Sequence, residues 1–487
     1  MNIAGFIFLL LVHYACGRGV LKLVGLKTSR LAMLSLSLIT GVAVTSVVPC
    51  MLQLMHIPIN KGSVLGGVSV VAGVLAIPLL RFEYQERPRP FRWPALYEWP
   101  YIIVCSLLVA LSVWRCYYYP PMARDMLSGP EAIAEFAVRE HTLINSFFST
   151  DLSTTNNYLK SPFITGLQII YKMLVNPFGQ QWLSVISVAF LLFLYDALRC
   201  RVHPLIAGFL LFLFITIPEV YSYSYIMLYD YSNMVFFFAG LYFLVRSKLN
   251  NSTADFNYAV LMLGIATYVR TDTLILVAML VPMLWAGRTR LWRQHLADTF
   301  VFLVWPVVCY VLCMQVFVRL FVPVPFDASS QINPHIAHVR LLWERFAAIN
   351  SELIFSSAGI TVYGYFIFIF LGVLLLDVVW GRKFSREARM MLYGIFAVYF
   401  GLAFIGYLLP VADIMNTTKR GMFKLLPAML LYMAGSEVVG KLSRFIAGHE
   451  GKVENADLRL MMKAAPPGVD ASLAALFDDV PADEPEA

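Results

Sequence analysis

Residues 98–125 read EWPYIIVCSLLVALSVWRCYYYPPMARD. An apolar run of the length that crosses a bilayer, 98–116, gives way to an aromatic and proline stop, and an acid, Asp125, follows a few residues beyond. Working outward, runs of the same kind recur at 2–16, 31–53, 63–80, 183–198, 204–218, 231–247, 258–269, 273–286, 299–320, 360–380, 391–409 and 425–440. The reading is an all-α integral membrane protein with about thirteen crossings, several of them short for a bilayer.

Composition says the same. Apolar residues make up 59% of the 487 and charged residues 14%, against roughly 25% charged in a soluble domain. Mean hydropathy is +0.71. That much apolar surface cannot be hidden in a water-soluble core, so lipid must cover part of it. The net charge of +7 needs no nucleic acid partner, because basic residues collect on the cytoplasmic side of membrane proteins. The cysteines, at 16, 50, 105, 116, 200, 309 and 313, lie mostly in apolar runs without metal or disulfide spacing. Cys50 and Cys116 are nearest the outer face, but no spacing requires them to pair. The first apolar run lacks the basic start of a cleavable signal.

With about thirteen spans, the basic loops all fall on one side. They hold Arg18, Lys22, Lys27 and Arg30; Arg81, Arg87, Arg89 and Arg92; Arg199 and Arg201; Arg246 and Lys248; Arg288, Arg290 and Arg293; and Arg382, Lys383, Arg386 and Arg389. The N-terminus is then outside and the C-terminus inside. The outer face carries long loops at 117–182 and 321–359 and shorter ones near 219–230 and 410–424. Residues 1–80 form an N-terminal helical group, 81–440 a core, and 441–487, ending DDVPADEPEA, a disordered cytoplasmic tail.

The first outer loop is the most informative stretch. PEAIAEFAVREHTLINSFF (130–148) puts Ile133, Phe136, Ala137, Leu143, Ile144 and Phe147 on one helical face, with Glu131, Glu135, Arg139, Thr142 and Asn145 opposite. That pattern predicts a helix lying on the membrane surface, with Glu140 stranded on its apolar face. The polar stretch STDLSTTNNY (149–158), which includes Asp151, leads to a second helix, SPFITGLQIIYKML (161–174). Three other constellations face the same side: YSYSYIMLYD (221–230) with Glu219 before it and Asp230 at its end; YVRTDT (268–273), where Arg270 and Asp272 interrupt an apolar run; and TTKRGMFKLLP (417–427) with Lys419, Arg420 and Lys424. Arg420 and Lys424 share a helix face.

Each has a plain structural alternative. Asp125 can be a solvated acid or a cap, Arg270 and Asp272 a structural ion pair, the three basic residues headgroup anchors, and Glu140 a snorkelling side chain. His335 and His338 are spaced i,i+3 without a third ligand nearby, the outer face has no DxD pair, and the Asn251-Ser252-Thr253 sequon falls on the cytoplasmic side.

In this order of features, over roughly 98–440, the chain resembles the GT-C superfamily of membrane glycosyltransferases, above all the protein O-mannosyltransferases and the bacterial aminoarabinose transferase. The likeness rests on Ala123-Arg124-Asp125 after an early membrane helix and on two membrane-parallel helices in the first outer loop. An arginine turn, Tyr268-Val269-Arg270, and a basic segment from Lys419-Arg420 to Pro427 complete it. Residues 1–80 add helices ahead of the usual first one, and Asp125 has Arg124 where a second acid often stands.

The resemblance implies a metal-free, cofactor-free, inverting transfer of a sugar from a polyprenyl-monophosphate donor to a glycan, lipid or protein acceptor. It implies Asp125 as general base, Arg270, Arg420 and Lys424 on the donor phosphate, and Glu140, Asp151, Asp230 and Asp272 orienting sugar or acceptor. The site it implies is extracytoplasmic. The absence of a eukaryotic targeting signal and the short loops favour a bacterial inner membrane with undecaprenyl phosphate as carrier, with an endoplasmic reticulum enzyme using dolichol as the alternative. A secondary transporter and a glycan polymerase or ligase stand as alternatives. A membrane acyltransferase would need a convincing catalytic histidine, which none of the eight supplies.

Overall fold

The computed structural model describes residues 2–81, 96–285, 292–324, 339–381, 384–409 and 413–464, and among these there is no β-strand. Four helices open the chain: α1 (Ile3–Val24), α2 (Arg30–Thr45), α3 (Val48–Leu54) and α4 (Lys61–Arg81). After them come α5 (Trp99–Tyr118), the single turn α6 (Arg124–Leu127), α7 (Pro130–Glu140) and α8 (Pro162–Leu174). The middle holds α9 (Gln181–Arg199), α10 (Pro204–Ile215), α11 (Pro218–Tyr223), α12 (Tyr229–Asn250), α13 (Thr253–Val269), α14 (Thr273–Met279) and α15 (Val281–Trp285). The remainder is α16 (Trp292–Val311), α17 (Arg319–Phe321), α18 (Val339–Ala348), α19 (Ser357–Tyr363), α20 (Phe366–Trp380), α21 (Arg386–Leu408), α22 (Lys419–Gly421), α23 (Leu426–Gly435) and α24 (Glu437–Ala464).

The boundaries follow local chemistry. Ser29, Ser252 and Ser385 cap α2, α13 and α21 through their hydroxyls. Proline stands in the first turn of α5, α7, α8, α10, α11 and α23, where its missing N–H costs nothing. Asn251, the residue of the sequon, ends α12 in the left-handed conformation with φ 50°.

Seven helices are long and apolar enough to cross a membrane, or up to nine if each of two bent pairs counts as one span. One such pair is α19 and α20, bent by 94°. Of the thirteen expected crossings, the other four fall on α10, α12, α13 and the broken pair α14–α15. α10 has 12 residues and α13 has 17, fewer than the roughly 20 a bilayer needs. α12 is long enough but polar at both ends, with Asp230 and Asn233 near its start and Arg246 and Lys248 near its finish. Hydropathy alone does not separate a span from a helix buried in a bundle, and α12 is buried from Tyr229 through Leu241.

Residues 1–440 form one compact unit, in which the N-terminal helices are integral, and Lys441 begins another. Of the seven long apolar helices among the described residues, α5 is the most open: only 11% of its apolar window is buried, against 72% for the windows of α2 and α9. α1 meets α2 and α4 backbone to backbone. A Cβ on Gly17 would stand 1.8 Å from the Ser37 carbonyl oxygen, and one on Gly19 would stand 1.7 Å from that of Leu75. Such small-residue contacts are how helices associate where no hydrophobic force drives them together. Gly17→Val is therefore expected to lower stability by about 3 kcal/mol, the upper part of the overpacking range. Thermal unfolding in detergent measures this, and a variant as stable as the wild type would contradict the contact.

The first loop differs from the surface-lying pair expected. α7 stops at Glu140 because His141 turns left-handed at φ 60°, so the helical wheel does not run on to residue 148. Glu140 is not stranded on an apolar face: it accepts hydrogen bonds from the Ser146 amide at 2.9 Å and from the Ser146 hydroxyl. Glu131, buried, and Glu135, half-exposed and also paired with Arg139, both reach Lys172 of α8, at 2.7 and 2.8 Å. Burial pushes the Glu131 carboxyl up despite that lysine, whereas Lys172 holds Glu135 down. α8 is buried on every side from Pro162 through Tyr171. A hydrogen-bonded chain ties it to the N-terminal helices: Tyr171 Oη to His13 Nε2 at 2.8 Å, and His13 Nδ1 to Thr45 Oγ1 at 3.1 Å.

The expected disordered tail is also corrected in part. α24 runs to Ala464, two residues short of the Pro466-Pro467 pair that no helix continues through. Residues 465–487, His335 and His338 lie outside the described residues.

Candidate functional site

A cavity of about 410 Å³ gathers the chemistry. Its walls come from six places: Asp125 on α6, the 157–161 segment before α8, Leu228–Asp230 at the start of α12, 269–272 between α13 and α14, the end of α21, and Thr417 with Arg420 beside α22. Each position has a local cause. Pro120-Pro121 ends α5 and delivers Asp125 within a few residues. The α13–α14 break exposes Arg270, whose N–H bonds back to the Ala266 carbonyl while its side chain enters the cavity. α22 is held by Lys419, which pairs with Glu219 at 2.8 Å, and by its carbonyl, which accepts from Tyr363 Oη at 2.8 Å.

Two linked ion-pair groups line the space. Arg270 bonds both Asp230 and Asp272, the latter at 2.7 Å and 3.2 Å. Arg420 Nη1 donates to Asp125 Oδ2 at 2.7 Å, and Lys160 Nζ lies 3.7 Å from the same oxygen. Lys424 is 1% exposed behind the cavity, within electrostatic reach of Asp272 and Arg270. Asp230 and Asp272 are committed to Arg270, with side chains only 2% and 15% exposed, whereas Asp125 is 33% exposed. Asp125 is thus the acid that a ligand can reach.

Partial burial pushes the Asp125 carboxyl up, but the Arg420 hydrogen bond and the Lys160 and Arg420 charges outweigh it and hold it below the usual range. Burial lowers Lys160 to about 8, with Asp125 opposing and Arg270 reinforcing. Asp125 is therefore ionised at neutral pH, while Lys160 gains and loses its charge near physiological pH.

Of the candidates from sequence, Asp125, Arg270, Arg420, Asp230 and Asp272 line this one cavity, with Lys424 behind it. Glu140 and Asp151 do not line it. Asp151 is exposed and accepts from the Ser153 amide at 2.9 Å, a local turn that holds its carboxyl low. Sequence reasoning missed Lys160, Asn157 and Tyr229, whose hydroxyl donates to the Ser161 carbonyl oxygen at 2.5 Å. One signal was there for Lys160. It stands immediately before Ser161, the N-cap of α8, where a helix dipole disfavours a cation and only an anion nearby offsets it.

All seven cysteines are free, Cys50 and Cys116 among them. Among the described residues no group of three or more His, Cys, Asp or Glu is arranged to hold a metal ion. Chemically, the cavity sets three cations, Lys160, Arg270 and Arg420, among three carboxylates of which Asp125 is the most exposed, so that an anion can meet the cations next to a group able to take a proton. No family model, curated protein or solved structure matches this chain.

Proposed function

We propose that the chain is a membrane glycosyltransferase of GT-C type, moving a sugar from a polyprenyl-monophosphate donor to an acceptor with inversion. The observation that carries this reading is Asp125, held at 2.7 Å by Arg420 and 3.7 Å by Lys160 at the rim of a cavity that Arg270 also enters. The donor is a phosphodiester with one negative charge. Its phosphate draws on Arg420 and Lys160, and in doing so releases Asp125 from the contacts that hold its basicity down. The acceptor oxygen or nitrogen then bonds to the anomeric carbon as its proton passes to Asp125. The anomeric carbon–oxygen bond breaks with its electron pair going to the phosphate. The departing polyprenyl monophosphate needs no general acid, and its growing charge is met by Arg420, Lys160 and Arg270 in a setting where such contacts count for more than in water. Asp230 and Asp272 hold Arg270 in place.

The proposed setting is the extracytoplasmic face of a bacterial inner membrane. α12, 22 residues long, begins at the cavity with Tyr229 and Asp230 and carries Arg246 and Lys248 near its other end, a helix about 33 Å long at 1.5 Å per residue. Basic residues favour the cytoplasmic side, which supports an extracytoplasmic setting for the cavity.

A direct test is equilibrium binding of undecaprenyl monophosphate against undecaprenol, each to protein in lipid nanodiscs. At least tenfold preference for the phosphate is expected, and equal binding would remove the phosphate from the account. The same assay has a predicted pH dependence. Lys160 is charged below about 8, so affinity for the phosphate is full below that pH and weakens as pH rises through it. Lys160→Arg should flatten the fall, because arginine stays charged throughout. A profile unchanged by this substitution would take Lys160 off the phosphate.

A further inference from the structure

A second pocket adjoins the first. It has a volume of about 150 Å³ and is lined by Arg115, Tyr119, Met122, Gln180, Tyr225 and Ile226, together with Pro120. Two chain segments contribute to both spaces. Met122 faces the pocket and Asp125, three residues on, faces the cavity; Ile226 faces the pocket and Leu228 the cavity.

Arg115 is unusual in its contacts. Its guanidinium lies over the rings of Tyr119, at 5.0 Å, and Tyr225, at 4.8 Å. Every other arginine and lysine of the cavity is tied to a carboxylate or sits within its field. Among the described residues the Arg115 side chain has no ion pair and no hydrogen bond, and its contacts are these two rings. The two rings hold the guanidinium while its N–H groups are left without a hydrogen bond among the described residues, free to receive an oxyanion. Gln180 closes the opposite side, its amide donating to the Tyr119 carbonyl oxygen at 2.7 Å and so fixing the loop that carries one ring. The volume would hold about five waters, room enough for a phosphate group.

The surroundings say where the phosphate comes from. Trp114, Tyr118, Tyr119 and Met122 beside the pocket are all exposed, at the end of α5, the most open of the seven long apolar helices among the described residues. Trp and Tyr gather at the headgroup level of a bilayer. A ligand reaching Arg115 along this surface brings an apolar tail with it.

We propose that the Arg115 pocket is a phosphate-binding subsite for a lipid-borne acceptor, adjoining the cavity that Asp125 lines. It rests on the proposed glycosyl transfer only for the word acceptor. Binding of a lipid phosphate at Arg115 stands or falls by itself.

The test uses the full chain in nanodiscs of zwitterionic lipid, with no donor and no turnover. Dihexanoyl phosphatidic acid is titrated by calorimetry, with dihexanoylglycerol as the uncharged control and inorganic phosphate as the tail-free one. Wild type should bind the phosphatidic acid at least tenfold more tightly than either control. Arg115→Gln should lose that preference, and Tyr225→Leu, which keeps the charge but removes half the stack, should lose part of it. Because the donor cavity also receives a lipid phosphate, Arg115→Gln and Tyr225→Leu are compared in an Arg420→Ala background, where the preference that remains is the subsite's own. Folding of each variant is checked by thermal unfolding, and Tyr225→Leu reports on the subsite even if Arg115→Gln fails to fold. Equal binding with and without Arg115→Gln in the Arg420→Ala background, loss of all preference in Arg420→Ala alone, or no binding by wild type would each overturn the subsite. Inorganic phosphate binding as tightly as the lipid would overturn the lipid-borne source. A chain that shows this pattern yet turns over no donor would refute the transferase reading and leave the subsite standing.

Discussion

Asp125→Asn is expected to reduce turnover about 10³-fold, within the range that a positioned general base contributes, while donor binding holds or tightens. Asparagine keeps the shape of the side chain and can still accept from Arg420, now 2.7 Å away, but it cannot take the acceptor's proton. Removing the carboxylate charge also frees Arg420 and Lys160, so the phosphate no longer competes with Asp125 for them. The two effects separate in steady-state kinetics in nanodiscs, as a fall in kcat without a rise in the donor KM. A merely structural Asp125 would instead weaken donor binding and folding together. Turnover that survives the change moves the base to another acid. Asp230 comes first, since it lines the same cavity, ahead of Asp151, which does not.

Arg270→Gln carries the second large effect, and it falls on stability as much as on activity. Arg270 is the shared partner of Asp230, 2% exposed, and Asp272, 15% exposed. Glutamine leaves two carboxylates facing each other with little water. Breaking a buried pair by removing one partner costs about 3–5 kcal/mol, mostly from the charge left behind. Lys424, in the same field, offsets part of this, so about 3 kcal/mol is the expected loss by thermal unfolding in detergent. The double variant Arg270→Gln, Asp230→Asn should regain much of the stability without regaining donor binding. If Arg270→Gln unfolds like the wild type, the two acids are not relying on it.

The legible parts of this architecture are those written in short-range pattern. Apolar runs mark the long helices because lipid demands some 20 such residues in a row. Arg270 and Asp272 stand out because charge interrupts an apolar run, and Asp125 stands out because a proline pair ends the helix before it. Distant pairing was less visible. Asp230 meets Arg270 across 40 residues and Asp125 meets Arg420 across 295, separations on which no helical wheel reports. Glu140 misled because the wheel assumed a helix that His141 ends. Glu131 and Glu135 misled because a polar face can turn toward a buried lysine, here Lys172, as readily as toward water. The structure supports seven to nine of the thirteen crossings by length and composition; α10 and α13 are short and α12 is polar at both ends, and an apolar core inside a bundle reads like one inside a bilayer.

The most direct measurement is release of polyprenyl monophosphate by the purified wild-type chain in nanodiscs. A panel of polyprenyl-phosphate sugars would be supplied, with a membrane extract as the source of acceptor. The account predicts release with at least one donor, dependent on the extract and yielding a product of inverted anomeric configuration. Absence of release with every donor, by protein that still binds undecaprenyl monophosphate, would contradict it and leave the cavity as a lipid-phosphate site without transferase chemistry.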